Sequence, residues 1–325
     1  MTQAKKCWRS LTDSLQLHTK AERILFAIVL VLLLFYCEFV MLGHTIAYFG
    51  FAYLFMLVCA LAVPPLVWFA VKAVGRIPAT PVSRQSVRCA LRSALLGFVG
   101  GELVLELWHA AYWPGSFPTD CVSQLSQSVS GQYNDWHPYL HTILGYTLPR
   151  LFNKDPGFLV TFQIFFFCLA CAFLLYTLRR AGVRRRWLLA AWCFIFLNPN
   201  TGKLMVTPVK DAAMTIFALA LYTLILRIFL CPEEFCRSKW HFILLAVVAF
   251  LTGSMRHNAI LLVLPALLLL LLIKPCRKKV LASAALFLAL TALYRGPVLS
   301  AMQVEQPGSR QAESLGLPMT VLCEA

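Results

Sequence analysis

Three polar segments, far apart in the chain, carry the residue types that could do chemistry. The first begins after Trp113 and contains Asp120, Gln124, Asn134, Asp135, His137 and His141. The second runs from Asn198 and Pro199 through Pro208 to Lys210 and Asp211, and the third is Arg256-His257-Asn258. A carboxylate can take a proton from a hydroxyl, an imidazole can assist it, and fixed lysine or arginine can meet the charge of a phosphate. If the three segments converge, they suit transfer chemistry on a lipid-linked phosphate.

Each residue also has a plainer reading. Asp120 can equally cap a short helix expected over Thr119–Val129, with Thr119 or Asp120 as N-cap and Gly131 ending it. His137 stands just before Pro138, where a helix start is expected, and can cap it. Asp135, His137 and His141 are candidate ligands for a divalent cation, since the two histidines are four apart. Lys210-Asp211 can be an ion pair at a helix start, with the aspartate favoured by the helix dipole. Arg256 can simply cap helix ends at a turn.

The elements that must position these residues follow from composition. The chain has 325 residues, 60% hydrophobic and only 13% charged, with a mean hydropathy of +0.73. Soluble domains carry about 25% charged residues, so an ordinary globular fold and disorder are both excluded. A polytopic, all-α transmembrane helical bundle is expected. Apolar runs fall at 24–42, 46–71, 93–113, 157–178, 187–199, 212–230, 240–254, 258–273 and 279–294. The run at 187–199 is short. The stretch from Trp240 to Ile273 is too long for one crossing and is read as a tight hairpin turning at Arg256-His257-Asn258.

Charge orders these spans. Lys+Arg number 29 against 14 Asp+Glu, a net +15. Most of the basic residues lie in five clusters: Lys5 to Arg23, Lys72 to Arg92, Arg179 to Arg186, Arg227 to Lys239, and Lys274 to Lys279. Two proposed crossings separate each cluster from the next, which places all five on the cytoplasmic side. Nine spans in the cell membrane follow, with the N-terminus inside and the C-terminus outside. The three polar segments all fall on the outer face. The excess charge is therefore an orientation signal, and nucleic acid is not an expected partner.

The domain reading is a cytoplasmic tail at 1–23, a transmembrane domain at 24–295 with a large external loop at 114–156, and an external tail at 296–325. No cleavable signal peptide is expected, because 23 polar residues precede the first span. Of twelve cysteines, Cys121 and Cys323 map outside, where a bridge is open to them; Cys121 is expected to be reachable from outside, and Cys236 and Cys276 only from inside. Cys168-x-x-Cys171 lies in an uncharged span, where thiols act as small hydrophobes. Glu102 and Glu106 share one helix face, and pairing inside the protein, with Arg92 and His109 at similar offsets, competes with a proton-transport role.

Together the Asp120 loop, the Tyr-Asn-Asp-Trp-His-Pro block at 133–138, the Pro-x8-Pro-Val-Lys-Asp block at 199–211 and the Met-Arg-His-Asn block at 255–258 resemble a group of bacterial multi-pass membrane proteins. That group is GT-C-like, related to glycosyltransferases that use polyprenyl-phosphate sugars, and the resemblance covers roughly 90–325. It implies a GT-C-like architecture with an external active site. Asp120 would be the general base on an acceptor hydroxyl. Lys210 and Arg256 would meet the donor phosphate, His137, Gln124 and Asn134 would contact substrate, and Asp135 with His141 would be candidate ligands for Mg or Mn. The partners implied are membrane lipid, the lipid-linked sugar, and a cell-surface glycan, lipid or protein acceptor. Two departures stand out: two extra spans precede the aspartate loop, and the chain is shorter than such enzymes usually are, as a truncated member would be. The competing functions are a multi-pass transporter or flippase, suggested by Glu102 and Glu106, and a non-catalytic membrane component.

Overall fold

A computed structural model describes residues 85–306, apart from 231, 239 and 272. Except for 271, 273 and 274, these residues belong to one compact unit. The expected spans at 24–42 and 46–71, the tail at 1–23, the part of the other tail after 306 and Cys323 lie outside the described residues. Those described are helical, with a single isolated parallel bridge between Asn134 and Glu305.

In chain order the helices are α1 (Val87–Ala111), α2 (Thr119–Ser130), α3, α4 (Pro156–Arg180), α5 (Arg185–Phe196), α6 (Pro199–Met205), α7 (Lys210–Leu230), α8 (Pro232–Arg237), α9 (Trp240–Ser254), α10 (Ile260–Leu270) and α11 (Arg277–Leu293). α3 is continuous through three forms: α over Tyr139–His141, π over Thr142–Thr147, and α over Leu148–Arg150. α11 runs on through a π turn at Tyr294–Val298 into Leu299–Ala301.

Local sequence explains where they begin. Ser86 caps α1 by accepting from the Cys89 amide. Asp155 does the same for Gly157 ahead of α4, and Asn198 for Asn200 ahead of α6; a proline opens each of these two helices, where no amide donor is required. Gly131, at φ 72°, closes α2 in the left-handed conformation that glycine adopts without strain.

Among the described residues, three helices are long and apolar enough to cross a membrane: Pro156–Arg180, Lys210–Leu230 and Lys274–Ala301. At ~1.5 Å per residue a 25-residue helix spans about 38 Å, more than the ~30 Å hydrocarbon core. The expected span at 93–113 lies within α1, also 25 residues long but carrying Glu102 and Glu106, and the remaining described spans are shorter. The run at 187–199 becomes α5, broken at Asn198-Pro199 into α6, and the hairpin becomes the 15-residue α9 and the 11-residue α10, about 23 and 17 Å long. The turn between them does fall at Arg256-His257-Asn258.

Side-chain pairings set the helix directions. α1 and α4 are antiparallel: the Gln85 amide donates to the Arg180 carbonyl, while His109 and Thr161 meet at their other ends. α4 and α7 are parallel, with Gln163 against Thr207 at one end and Arg227 over the Tyr176 ring at the other. α9 and α11 are also parallel, since Ser283 donates to the Phe242 carbonyl and Phe250 packs on Tyr294. Arginines of α1, α4, α5, α7 and α8 therefore gather at one end, here called the basic end. The three polar segments gather at the other.

The core sits where α1, α4 and α5 meet. Gly97, Gly100 and Gly101 give α1 a smooth face against Leu175, Trp192 and Phe196, and a Cβ at Gly101 would stand 2.5 Å from the Phe196 ring. The Trp192 indole donates to the Gly97 carbonyl across this contact. Cys168 and Cys171 are buried in the same core, as expected of small hydrophobic thiols.

Candidate functional site

α2 supplies the carboxylate. Its N-cap is Pro118, which makes no side-chain bond, so neither Thr119 nor Asp120 caps the helix as expected. The Pro118 carbonyl instead accepts from the Cys121 and Val122 amides. Asp120 is thus in the first turn, where the helix dipole favours its charge, and its carboxylate is not used as a cap. The side chain is 57% exposed, with Oδ1 3.9 Å from Nε2 of His137.

His137 is almost wholly buried, and it is not a helix cap: Pro138 holds that position. Its Nδ1 is 3.4 Å from Nζ of Lys210. An ammonium can only donate, so Nδ1 accepts; a neutral ring then carries its proton on Nε2, toward Asp120. Asp120, His137 and Lys210 form a line from solvent to the start of α7. Asp211, next in sequence, continues it through a 2.6 Å ion pair from its Oδ1 to Nη1 of Arg256. Residues from all three polar segments, which together span more than a hundred positions of sequence, meet at one end of the bundle.

Hydrogen bonds to backbone hold this line in place. Gln163, in the apolar α4, donates from Nε2 to the carbonyls of Met205 and Thr207 at 2.9 and 3.0 Å. The Tyr146 hydroxyl donates to the Pro208 carbonyl at 2.6 Å, and the Cys121 thiol faces the same oxygen at 3.6 Å. Burial pushes both the Cys121 thiol and the Tyr146 phenol upward in pKa, keeping them as donors. Two residues before Lys210, the backbone is thereby fixed from α2, α3 and α4 at once.

The third segment locks to the first. Nε2 of His257 donates to the Asp135 carbonyl at 3.1 Å, and Arg295 donates to the His257 carbonyl. Asp135 and Tyr133 exchange backbone bonds with Glu305, forming the isolated bridge. The Tyr294 hydroxyl accepts from the Leu140 amide.

The other expected site residues serve this framework. Gln124 is buried, with Oε1 2.6 Å from Nδ1 of His141, which donates to it. Asn134 exchanges bonds with Gln127, clasping the loop. Oδ1 of Asp135 accepts from the Tyr139 amide, so Asp135 is the residue that stabilises the start of α3. His141 packs edge-on to Tyr146 and over Gly145, and burial, reinforced by His137 and Lys210, brings its pKa down to about 3. Asp135 and His141 thus face separate partners, and among the described residues no three His, Cys, Asp or Glu side chains converge as metal ligands. A divalent cation does not fit the pair as they stand. Cys121, expected to be reachable, is fully buried.

Sequence reasoning missed Gln163, Tyr146, Tyr294 and Glu305. Gln163 had a signal, an amide alone in the uncharged run at 157–178; the others had none. Below the line of charges lies an apolar cavity of about 310 Å³, lined by His141, Gln163, Pro208, Ile216, Leu251 and Met255 among others. No protein-family model, curated protein or solved structure matches the chain.

Proposed function

We propose that this chain is a GT-C-like membrane glycosyltransferase of the cell envelope, with nine spans, that moves a sugar from a polyprenyl-phosphate donor to an extracytoplasmic acceptor. The observation that carries the reading is the convergence of Asp120, His137, Lys210 and the Asp211–Arg256 pair beside an apolar cavity. Such a place suits a substrate with an anionic head and a hydrocarbon tail.

The chemistry follows from what each group can do. Asp120 takes the proton of the acceptor hydroxyl as that oxygen bonds to the anomeric carbon. The bond from that carbon to the phosphate oxygen breaks, its electron pair leaving with the polyprenyl phosphate. One in-line displacement inverts the anomeric centre. His137 stands on the protein side of Asp120, its Nε2 3.9 Å from the carboxylate, and favours its charge there. Lys210 and Arg256 offset the phosphate charge, and Asp211 orients Arg256.

The transporter reading draws on Glu102 and Glu106, each of which buries one carboxylate oxygen without a hydrogen-bond partner. Against it, the other oxygen of Glu106 pairs with His109 at 3.0 Å, and the polar line lies at the end of the bundle rather than along a path through it.

Asp120→Asn tests the two together. In membranes given a polyprenyl-phosphate sugar, product formation should fall by about 10²- to 10⁴-fold with protein level unchanged. Retained product would remove Asp120 as base, while loss only in Glu102→Gln or Glu106→Gln would favour transport.

A further inference from the structure

At the basic end, α1, α4 and α5 enclose a second cavity, about 410 Å³, that has no part in the proposed chemistry. Its wall is apolar along Leu96, Gly97, Gly100, Leu188, Leu189 and Trp192. Arg92, one α-helical turn before Leu96, and Arg185, in the first turn of α5, stand at the same end of it with Ser93. Both arginines are exposed, and among the described residues no acidic side chain pairs with either. The nearest carboxylate on α1, Glu102, is almost three turns away along the helix.

We propose that this groove binds an anionic phospholipid of the membrane, its phosphate between Arg92 and Arg185 and an acyl chain along Leu96, Leu189 and Trp192. Charge selects the occupant. Two guanidiniums in place of a balanced pair favour an anion, and their planar donors fit phosphate oxygens. The apolar wall continues from them toward the middle of the bundle, so the ligand must join an anionic head to a hydrocarbon chain. The glycine face of α1 makes the depth: with no side chains at Gly97 and Gly100, Trp192 lies against the helix backbone and the groove stays open beside it. With the basic clusters facing the cytoplasm, the groove opens to the leaflet where anionic headgroups meet lysine and arginine.

The test uses the full chain in a non-ionic detergent, titrated with phosphatidylglycerol or phosphatidylcholine and followed by native mass spectrometry. One phosphatidylglycerol should be retained per chain, in preference to phosphatidylcholine. An arginine near anionic lipid contributes about 1 kcal/mol, about fivefold, so Arg92→Ala with Arg185→Ala should weaken retention about 25-fold. Arg186→Ala, a neighbouring exposed arginine outside the groove, should leave it unchanged. Leu189→Trp should also displace the lipid, by filling the groove at an exposed position without changing charge. Equal retention of the two lipids, or unchanged retention in either groove variant, would overturn the proposal.

Discussion

The two ends of the bundle carry charge in opposite ways. At the polar end the ionic groups of the candidate site face one another: Asp120 faces His137, His137 faces Lys210 of the second segment, and Asp211 holds Arg256 of the third. At the basic end Arg88, Arg92, Arg184, Arg185 and Arg186 are exposed, and several flank apolar surface. Lys279, which donates to the Phe235 and Ser238 carbonyls, is an exception there and clamps the segment between α8 and α9. Charge that only needs to stand at a membrane face requires no fixed geometry. Charge that is to act on a substrate does, and the polar end fixes it with buried donors to backbone.

The largest effect tests whether the two ends face different compartments. Cysteine introduced at exposed Ser126 should be labelled in intact cells by a membrane-impermeant maleimide, and cysteine at Arg186 only after permeabilisation, in a background without accessible native thiols. Equal labelling would break the contrast. Native Cys121 cannot report this, because it is buried.

A smaller effect tests the bracing. Gln163→Leu leaves the Met205 and Thr207 carbonyls without this donor, and a buried group so stranded costs about 1–3 kcal/mol. The melting temperature in detergent should fall, and transferase product should fall with it as Lys210 loses its position. Trp187→Leu, at an exposed position of the basic end, should do neither. An unchanged melt for Gln163→Leu would show that the 205–207 turn needs no brace from α4.

The smallest effect is a dependence on acidity. His141 in the fold has a pKa of about 3, below the ~6.5 of an unfolded histidine. The unfolded chain therefore binds the proton first. Stability from this residue is complete above about pH 6.5 and is lost as pH falls toward 3, by up to about 1.4 kcal/mol per pH unit. His141→Gln should flatten that part of the stability curve. An unchanged slope would mean that the ring is solvated in the protein.

Much of the fold was legible because it depends on local pattern. The uncharged run at 157–178 became α4, the run at 212–230 became α7, and the Arg256-His257-Asn258 turn fell where charge parity required it. Helix starts at Ser86, Asp155 and Asn198 follow from residues within two or three positions of each other. The short α5 was less legible, since Asn198-Pro199 both ends one helix and caps the next.

At the candidate site, sequence alone selected Asp120, His137, Lys210 and Arg256 by residue type and by the face that charge assigned them. It could not decide their partners. Whether Asp120 capped α2 or stood free depended on how the chain turns at Pro118. Whether Asp135 met a cation or the Tyr139 amide depended on where α3 begins. Gln163 reaches a turn more than forty positions away, and His257 reaches the Asp135 carbonyl across more than a hundred. Hydropathy and charge act on each segment separately and so determined the helices and which ends they share. Hydrogen bonds between segments require atoms to approach within about 3 Å, and only the packed tertiary structure decides which atoms do.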